Sequence, residues 1–248
     1  MTRSSHSAAD MSEISIIKRP SEARGHTRFD WLESKHSFSF GDFYDPEYIG
    51  FSALRIMNED TVSAGSGFGM HPHHSMEIFS YVISGALQHE DSLGNRRKVN
   101  EGEFQYMSAA SGVMHSEVNA SKSEPVHFLQ FWIEPDQPGG TPIYAEMDPR
   151  QRHSEDGLTL LASNNGRDDS LMVRQDVTIW LGELDANQSC VVKPELGGLN
   201  FWIQVIDGDL ELGSNQEFLL SGDGAAVSSE SGFSVAAKEK SKFIAIEL

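Results

Sequence analysis

Residues 71–85 read HPHHSMEIFSYVISG, placing three histidines within four positions at the head of an apolar, β-prone run. In an extended chain, residues two apart share a face and lie about 6.5 Å apart, so His71 and His73 can turn both imidazoles toward one point. His74 then faces away. Imidazole nitrogens suit first-row divalent ions at about 2 to 2.2 Å, yet the pair alone is equally what a polar loop would carry. Some forty residues on, SGVMHSEV repeats the spacing with His115 and Glu117 behind a glycine-marked turn. Three histidines and a carboxylate make four ligands for one ion and leave space for a substrate oxygen or dioxygen. Glu77 is the rival carboxylate, but four residues of strand separate it from His73 by roughly 13 Å, too far for two ligands of one ion. Glu77 is therefore expected to orient a ligand from behind it or to pair with a buried cation.

Such a grip needs a rigid frame, and the chain punctuates itself as an all-β protein. Short runs rich in Phe, Ile, Val, Tyr and Trp recur between Gly, Asn, Asp and Pro. Strands are expected at 76–83, 104–108, 126–133, 177–181, 201–206, 225–228 and 243–247, with a hairpin end at 91–95. Pro135 to Pro142 reads as a connector, and the acidic, Asn-rich stretch 154–170 as a surface loop. The segment from Tyr81 to Val118 echoes in the segment from Gln204 to Lys238, matching Gly85 to Gly208, Gly102 to Gly222 and Gly112 to Gly232. Two copies of one β-barrel in tandem account for this. The copies differ chemically, because all ten histidines lie between His6 and His153. Positions aligned with His71, His73, His115 and Glu117 are Pro194, Leu196, Val235 and Ala237, so only the first copy can hold a metal in this way. The expected organisation is a flexible tail at 1–12, a metal-binding barrel at 13–145 and a second barrel without ligands at 146–248.

The 248 residues carry 37 acidic against 19 basic side chains, a formal charge of −18, which argues against direct binding of nucleic acid. A protein partner stays open. Cys190 is the single cysteine, so no internal disulfide forms and a reducing cytoplasm is expected. No run approaches the roughly 18 apolar residues of a membrane span.

Two segments carry a resemblance. Gly65, His71-x-His73, Glu77 and Gly85, followed by Gly102, Ser111-Gly112, His115 and Asn119, resemble the two cupin motifs. Within cupins, GFGMHPHHSMEIFSYVISG, EFQYMSAASGVMHSE and the upstream WLESKHSFSFGDFYDPEYIGFSALRIMNED are similar to the pirin family, especially its bacterial quercetinase-like branch. The resemblance runs from about Ile14 to the C-terminus, dense to about residue 145. It departs from the general cupin pattern at Ala110, where many cupins have proline. It implies a bicupin, two jelly-roll β-barrels packed face to face, with one divalent metal held by His71, His73, His115 and Glu117. Iron is the family's usual ion, and other first-row divalent metals are alternatives.

The activity implied is dioxygenation of a flavonol such as quercetin, opening its central ring with dioxygen and releasing carbon monoxide. Glu117 would be the proton acceptor as well as a ligand. Phe68, Phe79, Tyr106, Phe131 and Trp132 are candidates to wall a flat substrate pocket, with ordinary core packing as the alternative for each. The family also implies a second role, a non-catalytic, redox-sensing regulator acting through a protein partner, and one fold can serve either. A third reading is a structural bicupin with a vestigial site. His36 and His127 are expected to be hydrogen-bonded structural groups, His89 and His153 surface residues, and Cys190 buried filler. The Arg96-Arg97-Lys98 triplet reads as an exposed edge strand.

Overall fold

The structure, a computed structural model, describes residues 14–213 and 217–248. The expected tail at 1–12 lies outside the described residues. Strands follow in the order β1 (Ser15–Arg19), β2 (Gly25–Arg28), β3 (Leu32–His36), β4 (Leu54–Val62), β5 (Gly67–His73), β6 (Glu77–Ser84), β7 (Ala86–Asp91), β8 (Arg96–Asn100), β9 (Phe104–Ser108), β10 (Val113–Asn119), β11 (Val126–Ile133) and β12 (Ile143–Met147). The second half continues with β13 (Ser154–Glu155), β14 (Leu158–Ser163), β15 (Leu171–Met172), β16 (Thr178–Leu184), β17 (Ser189–Val192), β18 (Asn200–Asp207), β19 (Leu210–Leu212), β20 (Glu217–Leu219), β21 (Gly224–Ser228), β22 (Phe233–Ala237) and β23 (Ser241–Glu247).

Each half is a sandwich of one large and one small sheet, and the second repeats the first. The order β9-β6-β11-β4 recurs as β21-β18-β23-β16, and β5-β10-β7-β8 recurs as β17-β22-β19-β20. The echoing glycines mark equivalent turns: Gly85 and Gly208 sit at φ +80° and +79°, where a side chain is strained. A Cβ on Gly85 would also lie 2.7 Å from the Pro125 carbonyl oxygen. Inside the first sandwich, Val82, Val126 and Phe128 of the large sheet pack on Leu87 and Val99 of the small one. In the second, Phe201, Ile203 and Val227 pack on Val192, Leu210 and Val235.

The two large sheets meet back to back around a core shared by both halves. Phe79, Tyr81, Phe104, Phe131 and Met147 of the first pack with Ile179, Trp202, Ile244 and Ile246 of the second. Strand β6 is consequently buried on both faces, from Glu77 to Val82. Along it Phe79 and Tyr81 face the second barrel, while Ile78, Ser80 and Val82 face the interior of the first.

Two expectations need correction. The stretch 154–170 is no loop, because Leu158–Ser163 forms β14 and pairs with β16 in the large sheet. Turn residues on both sides of this six-residue strand dominate the local composition and hide it. The boundary at 145 falls inside β12, which pairs with β9 in the first barrel, and β1 pairs with β21 in the second. The first described strand thus joins the second barrel before the chain builds the first. Arg19 at the end of β1 reaches back to the Ser37 carbonyl at 3.2 Å and Asp45 at 3.2 Å, fastening the crossing. The connector at 135–142 carries no strand, and Arg96–Asn100 is the exposed edge of its sheet. Among the described residues no helix is long and apolar enough to cross a membrane.

Candidate metal centre

Strands β5 and β10 run antiparallel with Val113 opposite His73 and His115 opposite His71. All three rings project inward, and their centroids lie 4.5 to 4.8 Å apart. A ligand nitrogen from each falls within 4.8 Å of the others. Between His115 and Glu117 the register slips, so that Glu117 pairs with Phe68. This bulge shifts the side-chain alternation of β5, so Phe68 lines the interior although it is an odd number of residues from His71. Gly67 makes the close approach achievable, since a Cβ there would lie 2.4 Å from the Cα of Val118.

The imidazoles are prepared to accept a cation. His71 donates from Nδ1 to the Gly69 carbonyl at 2.7 Å, which leaves the lone pair on Nε2. That Nε2 lies 3.1 Å from Nε2 of His115, and Nε2 of His73 is buried without a hydrogen-bond partner among the described residues. Burial, then the neighbouring His115 and His71, pushes His73 down to about 4. Burial likewise brings His115 down to about 4 against the opposing pull of Glu117. Both rings are neutral at neutral pH, and three imidazole nitrogens with an adjacent carboxylate suit a first-row divalent ion.

Glu117 groups with His115 and His89, its ligand oxygen within 4.8 Å of a nitrogen of each. Its carboxylate accepts Nε2 of Gln105 at 2.8 Å and Nε2 of Gln130 at 2.6 Å. Those amides are aimed by donors behind them: Trp132 Nε1 donates to Oε1 of Gln130 at 3.1 Å, and the Tyr144 hydroxyl to Oε1 of Gln105 at 3.3 Å. With their oxygens so occupied, both amides must present N–H to Glu117. Burial alone would raise the Glu117 carboxyl, but His115, His89 and the two amides outweigh it and hold it below the usual carboxylate range.

Sequence spacing missed these supports. Gln105, Ser80, Gln130, Asn58 and His36 are register partners across β9, β6, β11, β4 and β3, forming one continuous polar row across the inner face. His89 is fully buried on β7 opposite Glu117, with Nε2 3.1 Å from Asp91, and is not the surface residue expected. An isolated histidine in the run ALQHED gives no local sign of its facing. His36 and His127 are hydrogen-bonded as expected, to Asn58 and Thr27 and to Glu59 respectively. Cys190 is buried, and burial pushes its thiol up to about 12.

A cavity of about 550 Å³ opens beside the histidines, lined by His71, His73, Glu117, Gln130 and Trp132 and by the rings of Phe29, Trp31, Phe40 and Phe68. Of the five aromatic candidates, Phe68 and Trp132 line this cavity. Phe79, Tyr106 and Phe131 do not: they stack on one another, centroids 5.0 and 5.1 Å from Phe79, in the core between the barrels. They sit on the opposite face of the sheet from Gln130 and Trp132. Glu77 likewise turns away from the histidines, accepting bonds from the Tyr106 hydroxyl, the Ser108 hydroxyl at 2.6 Å and the Arg174 amide at 3.3 Å. Among the described residues it bonds neither a histidine of the cluster nor a buried cation; it ties the first barrel to the second.

Residues 18–133 match the family described as Pirin, and residues 160–248 the one described as Quercetinase C-terminal cupin domain. The quercetin 2,3-dioxygenase of Escherichia coli K12 is 40% identical over 94% of this chain and 98% of its own. The bacterial pirin YhhW from Escherichia coli, crystallised in complex with nickel(II), superposes with TM-score 0.88 at 39% identity, over 94% of this chain and 99% of that one. A variant of the oxalate decarboxylase OxdC from Bacillus subtilis superposes with TM-score 0.67 at 12% identity, over 98% of this chain and 78% of that one, a likeness of fold alone.

Proposed function

This chain belongs to the pirin family, and from that premise we propose that it is a metal-dependent dioxygenase that opens the central ring of a flavonol such as quercetin, consuming dioxygen and releasing carbon monoxide. The carrying observation is the convergence of His71, His73 and His115 at the wall of an aromatic-lined cavity of about 550 Å³. That volume suits a three-ring polyphenol. A redox-sensing regulator acting through a protein partner would need the metal but not the cavity.

In this reading His71, His73, His115 and Glu117 hold one divalent ion, iron or another first-row metal. When bound, the ion supplies a Lewis acid for the substrate's hydroxyl oxygen and a centre for dioxygen chemistry. The chain supplies the rest. Glu117, kept ionised by Gln105 and Gln130, takes the proton of the flavonol hydroxyl on a carboxylate oxygen. Phe68 and Trp132 border the substrate plane, and Trp132 also stands edge-on to His73 with centroids 4.8 Å apart, restricting that ring. The test is to mix metal-loaded protein with quercetin under argon and then admit air. Loss of the flavonol absorbance with release of carbon monoxide is expected; an unchanged spectrum and no carbon monoxide would remove the proposal. The lone free thiol, Cys190, supports a reducing compartment such as the cytoplasm.

A further inference from the structure

The cavity wall built by β2, β3 and β4 is polar, unlike the rings around it, and its polar groups divide into two sets. His36, Asn58 and Thr27 satisfy one another: Nδ1 of His36 meets Oδ1 of Asn58 at 2.9 Å and Nε2 meets the Thr27 hydroxyl at 2.9 Å. Asp60 is different. The residue is 3% exposed, and among the described residues the Ser34 hydroxyl is its side chain's one hydrogen-bond partner, with no Lys, Arg or His within 4.0 Å. A carboxylate can accept about four hydrogen bonds. Desolvating one beside a ligand-sized space, with most of that capacity unused, destabilises the empty protein and leaves acceptors for a guest.

Resting on the flavonol reading above, we propose that Asp60, anchored by Ser34, determines specificity by accepting a hydrogen bond from a phenolic hydroxyl remote from the oxygen held at the histidines. The ligand class is thereby narrowed to flat polyphenols hydroxylated at a second edge. The aromatic rings of the cavity bind any flat apolar body, so they cannot make this distinction. Asp60 lies on β4 opposite Ser34, whose hydroxyl already bonds one carboxylate oxygen, on one side and Phe128, which has no side-chain donor, on the other, so neither register partner donates to the second oxygen. Burial, more than the nearby Glu117 and Glu59 charges, raises its carboxyl to about 7, as suits a group completed only by a ligand.

The experiment titrates metal-loaded protein under argon with quercetin, with the analogue lacking the pendant-ring hydroxyls, and with the analogue lacking the fused-ring hydroxyls, followed by calorimetry. At pH 8, where the Asp60 carboxyl is ionised, wild-type protein should prefer quercetin over one analogue by about 10-fold or more, the worth of a hydrogen bond to a charged group. Asp60→Ala should abolish that preference while leaving affinity for the disfavoured analogue in place, and Ser34→Ala, which keeps the carboxyl but frees it, should weaken it. The assignment is overturned if wild-type protein binds all three equally, or if Asp60→Ala lowers all three affinities by a common factor or changes none. If wild-type protein binds none of them, the flavonol reading itself falls and this assignment with it.

Discussion

Histidine spacing exposed the three rings that converge at the candidate centre, because a two-residue period on a strand translates directly into a shared face. The glutamines behind Glu117 were illegible, since a Gln within a β-run resembles any partly exposed strand residue until register places it. Their chemistry gives a sharp expectation. Gln130→Leu removes one amide donor and leaves a desolvated carboxylate oxygen short of a partner, so metal affinity should fall by about 10- to 100-fold in a chelator competition, with the fold retained. Asp60 predicts a pH effect of defined sign. Its carboxyl, raised from 3.8 to about 7 in the folded protein, gives no penalty below pH 3.8 and a growing one as pH climbs toward 7. Asp60→Asn should therefore leave stability nearly unchanged at pH 4 and raise it at pH 8, by at most roughly 4 kcal/mol. Denaturant unfolding at both pH values checks this, and an equal effect at each would contradict it.

Strands were legible where one apolar run met clear turn residues, as at Phe104–Ser108 and Val126–Ile133, whose bounds match. Facing was not legible on β6 and its neighbours. A strand buried on both sides has no alternation of apolar and polar residues, so nothing local tells that Phe79 faces the second barrel and Ser80 the metal side. The bulge in β5 was equally hidden, and Phe68 joins the cavity because of it. The pair β5 and β10 is held close at Gly67, where a Cβ would meet the Val118 backbone. Gly67→Ala should push these strands apart and part the histidines: stoichiometric metal binding should be lost, by elemental analysis, while circular dichroism still reports a folded β-protein. Glu77 acts at the same scale but elsewhere. Glu77→Leu strands the Tyr106 and Ser108 hydroxyls in the buried interface, at about 1 to 3 kcal/mol for each unsatisfied group, and should lower Tm far more than it alters metal content.

At the scale of the molecule the barrels share their largest apolar cluster, so heating should give one calorimetric transition and not two. A buried polar knot adds to the joint. Arg24 bonds Glu59 at 2.7 Å and the Gly222 carbonyl of the second barrel at 3.0 Å, and His127 meets Glu59 at 3.0 Å. Burial alone would raise the Glu59 carboxyl, but His127 and Arg24 prevail and bring it from 4.5 to about 2. Burial meanwhile lowers Arg24 more than Glu59 restores it, so the pair favours docking by less than the shift in Glu59 alone implies. The contribution of Glu59 is present above pH 4.5 and is lost as pH falls from there through 2. Glu59→Gln should accordingly be less stable than wild type at pH 7 and show a flatter decline in stability below pH 4.5.

The position of β1 orders events during synthesis. Its partner, Gly224–Ser228, leaves the ribosome some two hundred residues later, so Ser15–Arg19 must wait unpaired while the first sandwich assembles beside it. Nascent chains arrested near residue 150 should accordingly remain open to protease at this segment, and released full-length chains should not. Protection at that arrest point would mean the strand finds an earlier, temporary partner.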